Sequence, residues 1–212
     1  MSVEWDSYRV VDLSVDLRSG FKSRLNELSR AAAERIFSDL MERKEERKAL
    51  LKKLLRANGL ELSCAEEELL ALNDWMCRNA SCREDNIHDV TPVWYSVGID
   101  AALYLGDCMI GRAPHLRWEL CTDPPDHVAY HMPVIVGFQN CKEEFDVDLI
   151  RPAVAIARRG LLYNCPEEKL EKTSDLAKPS YYRRLRKYKE RDEAGESLDR
   201  TLVKLLGVLE YA

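Results

Sequence analysis

The chain has 212 residues, of which 46% are hydrophobic and 33% are charged, and its formal net charge is −5. This apolar share is ordinary for a globular protein and is sufficient for a buried core. The negative net charge argues against binding of nucleic acid over the whole surface, because neutralising phosphates needs clustered positive charge.

The N-terminal quarter predicts a short strand or an irregular arm, followed by helical structure. Residues 13–17 alternate between apolar and polar side chains, as in a strand with one covered face. Apolar residues then recur at three-and-four spacing over residues 21–57, but the middle of this range, residues 42–48, is entirely polar. One long helix or two helices meeting in the charged middle both fit this pattern. Asn58 and Gly59 predict the end, since glycine accepts the left-handed conformation that often follows a helix.

Two further helix starts are visible. Ser63 and Glu66 have the spacing of a capping box, which predicts a helix that ends near residue 79. Thr91 and Pro92 predict the start of a central helix that extends to Ile110. Its apolar residues occur nearly all round, so we expect neighbouring elements to cover most of its sides. Two glycines eight residues apart should allow another backbone to approach it closely: Gly98 and Gly106.

The next segment predicts a pair of strands. Residues 116–121 alternate between apolar and polar side chains, and after a proline-rich break residues 134–138 are apolar on both faces. Proline cannot donate to a strand ladder, so the break separates two strands, which we expect to pair in antiparallel fashion beneath the central helix. The remaining pattern predicts four helices: within 146–160, from 166 to 177, from 181 to 191, and along the apolar stripe 198–209.

These elements predict an α+β fold class, mostly helical, with a central helix packed on a small antiparallel sheet. We expect a single domain over residues 1–212. Residues 1–60 would form an N-terminal arm and long helix, residues 61–160 the central core, and residues 161–212 the charged C-terminal helices.

A polar line on the central helix is the first candidate site, because its members share one helix face: Ser96, Asp100, Tyr104 and Asp107. Burying a carboxylate in so apolar a helix raises its pKa and costs free energy, so its presence calls for an explanation. One interpretation is a cleft wall in which Asp100 and Asp107 act as acid/base or ligand groups. Structural ion pairs or a solvated face would explain the same pattern.

A second group consists of metal-ligand residue types within 17 residues: His115, Cys121, Asp123, Asp126, His127 and His131. Neither an HExxH motif nor a CxxC pair accompanies them, so we expect a polar connecting loop and neither a metal nor another cofactor. His127 and His131 remain candidates for the same cleft as the two aspartates. No local motif marks Cys108 or Cys121 as a nucleophile paired with one of these histidines.

The third candidate is the basic segment KPSYYRRLRKYKER at residues 178–191, with seven basic residues and one acid. Basic side chains with interleaved tyrosines could hold phosphates and stack on bases. They could equally face the acidic segment 61–89 or an acidic partner. The candidate partner-binding residues are Arg183, Arg184, Arg186 and Lys187.

The cysteines and the N-terminus bear on localisation. The seven cysteines are odd in number and lack paired spacing, which is typical of free thiols in a reducing compartment. No basic region followed by an apolar run suggests a signal peptide, and the most apolar stretch is too polar for a membrane span. We therefore expect a cytoplasmic protein that does not bind membranes.

One stretch resembles a known type of domain. The motif W-Y-S-x-G-I-D-x-A-x-Y-L-G-D, followed by P-H-L-R-W-E-L and P-V-I-V-G-F, is similar to a core of uncharacterised bacterial cytosolic domains. The likeness covers residues 94–138, about a fifth of the chain. Asp107 and Trp118 match most closely. Some of these domains are immunity-like, which implies a protein partner.

The leading hypothesis is therefore a non-catalytic cytosolic protein that binds another protein, in an immunity-like or regulatory role. The alternative is a small-ligand-binding protein or a hydrolase-type enzyme that uses the carboxylate and histidine cleft. A third hypothesis is nucleic-acid binding through the basic C-terminal helix. The sequence leaves the partner, the substrate and the oligomeric state open.

Overall fold

A computed structural model of the protein describes residues 3–5, 8–11, 27–84, 89–139, 145–164 and 179–212. The predicted strand at 13–17 and the predicted helix at 166–177 lie outside these ranges. Within them the fold is α+β and mostly helical, which confirms the predicted class. The elements are α1 (Arg30–Glu42), α2 (Lys44–Ala57), α3 (Glu66–Asn79), α4 (Pro92–Arg112), β1 (Arg117–Leu120), β2 (Pro133–Val136), α5 (Ile150–Asn164), α6 (Pro179–Glu193) and α7 (Thr201–Leu206). A 3₁₀ turn at Gly207–Tyr211 follows α7.

The helical segment before Asn58 consists of two helices rather than one. Ser29 caps α1, its hydroxyl accepting a hydrogen bond from the Ala32 amide at 3.3 Å. Such a cap satisfies a backbone N–H that has no partner within the helix. Arg43 separates α1 from α2 with φ −90° and ψ 1°, outside helical geometry. The break thus falls in the charged middle of the segment.

Two helix ends differ from the prediction. The N-cap of α3 is Ala65, and the Ser63 hydroxyl instead accepts from the Ala65 amide at 3.0 Å, so the predicted capping box is wrong. Helix α5 was expected to end at Gly160 but continues to Asn164. A Cβ at Gly160 would lie 2.7 Å from the Cys77 Cα, so this glycine permits close packing of α5 on α3 rather than ending the helix.

Helix α4 is the centre of the molecule, as its apolar composition predicted. Nearly every residue from Trp94 to Met109 is buried, and α2 and α5 pack against it on different sides. Gly98 lies against the Val154 backbone of α5, and Gly106 against the Trp118 ring of β1. Close approach of another backbone is thereby confirmed at Gly98, whereas the neighbour at Gly106 is a side-chain ring. Among the described residues, no helix is long and apolar enough to cross a membrane.

Strands β1 and β2 pair in antiparallel fashion, as predicted, with Trp118 opposite Ile135. Ile135 also exchanges two backbone hydrogen bonds of 2.9 Å with Val147 on its other side. This isolated bridge fixes the chain just before α5 against the other edge of β2. It thereby holds residue 146 next to the loop that joins the two strands.

A disulfide bond links Cys64, before α3, to Cys108 on α4, with a Cα–Cα distance of 5.7 Å. The expectation that all the cysteines are free thiols is therefore wrong. The pair lies 44 residues apart, a separation that no local spacing pattern reveals. Among the described cysteines, Cys77, Cys82 and Cys121 are free. Cysteine usage consequently no longer supports the prediction of a reducing compartment.

Candidate functional site

Asp100, a member of the polar line on α4, is completely buried in an ion pair. The Arg47 guanidinium donates from Nε to Oδ1 at 2.8 Å and from Nη2 to Oδ2 at 2.6 Å. The Tyr8 hydroxyl donates to Oδ2 at 2.5 Å. Arg47, only 1% exposed, also donates to the Arg9 carbonyl at 2.7 Å. The carboxylate thus joins α4 to α2 and to the N-terminal segment.

Burial dominates the electrostatics of this group. It raises the pKa of Asp100 to about 6, although Arg47 and Tyr8 act in the opposite direction. Burial and the neighbouring carboxylate likewise raise the pKa of Tyr8. At neutral pH the site is therefore a bidentate ion pair with an attached neutral phenol, a geometry that satisfies both carboxylate oxygens.

The other members of the line also bind neighbouring elements. The Ser96 hydroxyl accepts from the Val11 amide at 2.8 Å, and the Tyr104 hydroxyl donates to the Leu62 carbonyl at 3.3 Å. Asp107, whose side chain is 21% exposed, accepts from Lys44 at 2.6 Å and from Lys48. The residues of the polar line thus contact neighbouring elements inside the protein, and the structure does not place Asp100 on the wall of an open cleft.

The loop between the strands forms a different cluster, made of Cys121, His127 and Asp146. The Cys121 Sγ lies 3.4 Å from His127 Nδ1, and His127 Nε2 lies 3.8 Å from an Asp146 carboxylate oxygen. One ligand atom from each residue falls within 4.8 Å of the other two. A thiol, an imidazole and a carboxylate therefore converge on one point, a combination suited to metal binding or to thiol chemistry.

Burial differs across this cluster. Cys121 is 5% exposed, whereas the side chains of His127 and Asp146 are 35% and 22% exposed. Burial, and next the Asp146 carboxylate, raise the pKa of the Cys121 thiol to about 11. The Ala129 amide donates to His127 Nδ1 at 3.3 Å, so this nitrogen is an acceptor. The same nitrogen lies 3.4 Å from the Cys121 sulfur.

His131 takes no part in this cluster. It is buried with a left-handed φ of 62°, and its amide donates to the Cys121 carbonyl at 2.6 Å. Its ring stacks on Tyr130 at 3.8 Å and borders an apolar cavity of about 20 Å³, roughly the space for a single small molecule such as water. His127 and His131, which the sequence analysis assigned to one cleft, therefore lie in different environments.

The third feature is a cleft between α5, α6 and α7, which encloses about 260 Å³. We call it the basic cleft, because five of its nine lining residues are basic and one is acidic: Arg159, Lys187, Tyr188, Arg191, Leu198, Asp199, Arg200, Thr201 and Lys204. Of the predicted partner-binding residues, Lys187 lines it. Arg183 and Arg186 are exposed on α6, and the Arg184 side chain lies outside the described part of the structure.

The acidic segment 61–89 neutralises this surface only in part, through the ion pair of Glu66 with Arg200. It binds the far end of α6 and the chain beyond it: Arg78 pairs with Asp192 at 2.6 Å, and Asp74 accepts from the Leu198 amide at 2.6 Å. Glu66 pairs with Arg200 at 2.8 Å. Across the residues that the structure describes, neither Lys187 nor Lys204 has a carboxylate within ion-pair distance.

Asp146 and the C-terminal half of the basic cleft were missed by the sequence analysis. Asp146 stands 25 residues after Cys121, and only the backbone pairing of Ile135 with Val147 brings it to the strand loop. Comparison of the chain with protein-family models, curated proteins and solved structures gives no match. The resemblance of residues 94–138 to bacterial cytosolic domains therefore stays a prediction, and function is inferred from the chain's own residues.

Proposed function

We propose that the protein is a non-catalytic binding protein whose basic cleft holds an acidic segment of another protein. The observation that carries this proposal is the local charge: five basic residues and one acid line a single cleft in a chain whose net charge is −5. Positive charge concentrated against the overall balance favours a negatively charged partner and speeds its association.

The ion pairs within the cleft leave two lysines for a partner. Asp199 binds Arg159 at 2.8 Å, and Glu66, outside the cleft, binds Arg200. Lys187 and Lys204 are exposed and come from different helices, α6 and α7. Arg183 extends the same surface, because a residue four positions before Lys187 lies one turn away on the same helix face.

The lining favours a peptide over nucleic acid. The half-buried Tyr188 lines the cleft, so the surface of an aromatic ring accompanies the cations. A cleft of about 260 Å³ accommodates a few side chains rather than a duplex. Nucleic-acid binding draws on contacts to many phosphates, and the net negative charge of the chain opposes such long-range attraction.

The catalytic alternative predicted from the sequence has less support. It needs Asp100 and a histidine on one concave surface, but Asp100 is occupied by Arg47 and Tyr8 inside the protein. Asp107 is likewise engaged by two lysines of α2. The acids that suggested a cleft instead stabilise the packing of α2 on α4.

Binding of a labelled peptide rich in Glu and Asp with interspersed Leu tests the proposal by fluorescence anisotropy. Lys187→Glu/Lys204→Glu should weaken binding by at least about tenfold, because both charges then repel the peptide. Lys52→Glu/Lys53→Glu, on the exposed face of α2, changes the net charge by the same amount and should leave binding nearly unchanged.

Two further measurements separate the rival hypotheses. Raising the ionic strength should weaken peptide binding, because salt screens exposed charges. A labelled single-stranded oligonucleotide of equal charge serves as competitor: tighter binding of the oligonucleotide than of the peptide would make nucleic-acid binding the function. Absence of peptide binding at low salt, or equal losses in both double variants, would contradict the proposal.

A further inference from the structure

We propose that Cys121, His127 and Asp146 form a binding site for one zinc-like divalent cation, with a fourth coordination position open to solvent. The site lies at the sheet end beside α5 and is separate in sequence and structure from the basic cleft. It rests on the convergence of the three side chains and on the backbone that holds them.

Backbone pairing positions the three ligands before any ion arrives. Cys121 follows β1 directly, and its amide and carbonyl bond to Met132 at 2.9 Å and His131 at 2.6 Å, which closes the strand loop. The His127 amide donates to the Pro124 carbonyl at 2.9 Å within that loop. Asp146 is positioned by its neighbour Val147, which pairs with Ile135 of β2. A site built on fixed backbone needs little reorganisation to bind.

The distance between Cys121 and His127 suits a tetrahedral ion. Bonds of about 2.0–2.3 Å to zinc place neighbouring ligand atoms roughly 3.3–3.8 Å apart. His127 Nδ1 lies 3.4 Å from the Cys121 Sγ, within this range, whereas the 3.8 Å contact with Asp146 uses the other ring nitrogen, Nε2. One ligand atom of each residue lies within 4.8 Å of the other two, so binding of one ion requires side-chain rotation that shortens the remaining distances.

The donor set selects the class of metal. A thiolate and an imidazole are ligands of zinc and related transition metals, whereas magnesium and calcium take oxygen ligands. His127 Nδ1 lies 3.4 Å from the Cys121 Sγ and accepts a hydrogen bond from the Ala129 amide, which an ion bound to this nitrogen would replace. The two negative charges of a thiolate and a carboxylate balance a divalent cation. Three protein ligands leave one position, which a water molecule fills in open zinc sites.

Exposure favours a metal over a thiol nucleophile at the same residues. Cys121 is 5% exposed and belongs to the buried core, so a substrate of appreciable size cannot reach its sulfur. The partly exposed side chains of His127 and Asp146 form the outer side of the cluster. A small cation can enter between them and contact the buried sulfur.

Titration of the metal-free full-length protein with Co²⁺ and Zn²⁺ tests the site. Co²⁺ should produce thiolate-to-cobalt charge-transfer absorption with one equivalent bound, and Zn²⁺ should abolish that absorption by displacement. Cys121→Ser should remove the charge-transfer band, and His127→Gln and Asp146→Asn should each weaken Zn²⁺ binding by at least about tenfold. An excess of Mg²⁺ should not compete.

Two controls keep the result specific. His115→Gln removes an exposed histidine outside the cluster, and Cys82→Ser removes a free thiol elsewhere, so both should bind Zn²⁺ as the unmodified protein does. Circular dichroism verifies that each variant is folded; if Cys121→Ser unfolds, His127→Gln decides. No cobalt charge-transfer band in the unmodified protein, or an undiminished band in folded Cys121→Ser, would overturn the proposal.

Discussion

Arg47 is a guanidinium enclosed within the protein, although it belongs to a run of charged residues. Its side chain is 1% exposed and reaches Asp100, the Arg9 carbonyl and the Tyr8 hydroxyl, the last at 3.1 Å. Removing one partner of such a pair leaves an uncompensated buried charge and typically costs about 3–5 kcal/mol. Each residue of the pair therefore depends on the other for its place in the core.

The ionisation of Asp100 gives a prediction at this scale. Its pKa of about 6 in the folded state exceeds the value of 3.8 for an exposed aspartate, so the folded chain binds the proton more tightly. The resulting stability is fully present below the unfolded pKa and is lost as the pH rises through about 6. The free energy of unfolding, relative to Asp100→Asn, should fall by up to about 3 kcal/mol between pH 4 and pH 7.

Urea unfolding of both proteins across this pH range measures the difference. The titratable groups facing Asp100 are the cations Arg47 and, more distantly, Arg43, and the neutral phenol of Tyr8, and the substitution leaves all three in place. A direct NMR titration of the Asp100 carboxyl carbon gives the same information if the variant is poorly folded. A difference that stays constant from pH 4 to pH 7 would contradict the prediction.

The sequence alone revealed some members of the Asp100–Arg47 pair and of the Cys121–His127–Asp146 cluster, but not all of them. A carboxylate within an apolar helix drew attention to Asp100, because its burial is costly without a partner. Arg47 could not be singled out, since charged residues surround it in the run 42–48 and only the orientation of α2 buries it. Cys121 and His127 were visible as ligand types, but Asp146 joins them through strand pairing, which residue spacing does not encode.

Helices α4 and α5 owe their close contact to a residue without a side chain. A Cβ at Gly98 would lie 2.8 Å from the Val154 Cα, which is closer than two carbon atoms ordinarily approach. Backbone atoms cannot rotate away, so the two helices would have to move apart. Gly111, near the end of the same helix, has no atom within 4 Å of the corresponding position.

The two glycines form a matched pair for experiment. Gly98→Ala should destabilise the protein by about 1–3 kcal/mol through overpacking, despite the better helix propensity of alanine. Gly111→Ala should be neutral or stabilise by up to about 1 kcal/mol, because only helix propensity acts there. Urea unfolding of both variants provides the comparison, and similar changes in both would show that α4 and α5 do not pack as described.

Elements with a clear apolar period were predictable, and elements set by tertiary contacts were not. The start of α4 at Pro92 and the antiparallel pair β1–β2 follow from local chemistry and are confirmed. Gly160 was expected to end α5 because glycine often follows a helix. Its real environment, the Cys77 backbone on α3, is known only once the two helices are packed.

Across the whole molecule, the acidic segment 61–89 and the basic cleft are joined by the ion pair between Glu66 and Arg200. The acidic segment of α3 binds the chain after residue 191, while the exposed cations of α6 and α7 border the basic cleft. The buried side chains from Leu40 to Leu206 nevertheless form one continuous cluster. A disulfide then adds a covalent link between the segment before α3 and the central helix.

This disulfide should contribute measurably to global stability. It closes a loop of 44 residues, for which the chain-entropy relation gives about 4 kcal/mol. Cys64→Ser/Cys108→Ser should lower the free energy of unfolding by about 2–4 kcal/mol, and a reductant should destabilise only the unmodified protein. Cys82→Ser, at a free cysteine, is the matched control. An unfolding midpoint in urea that does not respond to reductant would contradict the prediction.

The contacts of the N-terminal segment with α4 limit when this segment can fold during synthesis. Trp5 packs edge-on against Trp94 with ring centroids 5.2 Å apart, and Tyr8 bonds to Asp100. A ribosome that adds roughly 5–20 residues per second makes Asp100 several seconds or more after Tyr8. During this interval the nascent chain has no α4 on which Trp5 and Tyr8 could dock. These two residues therefore join the core only after α4 has been made.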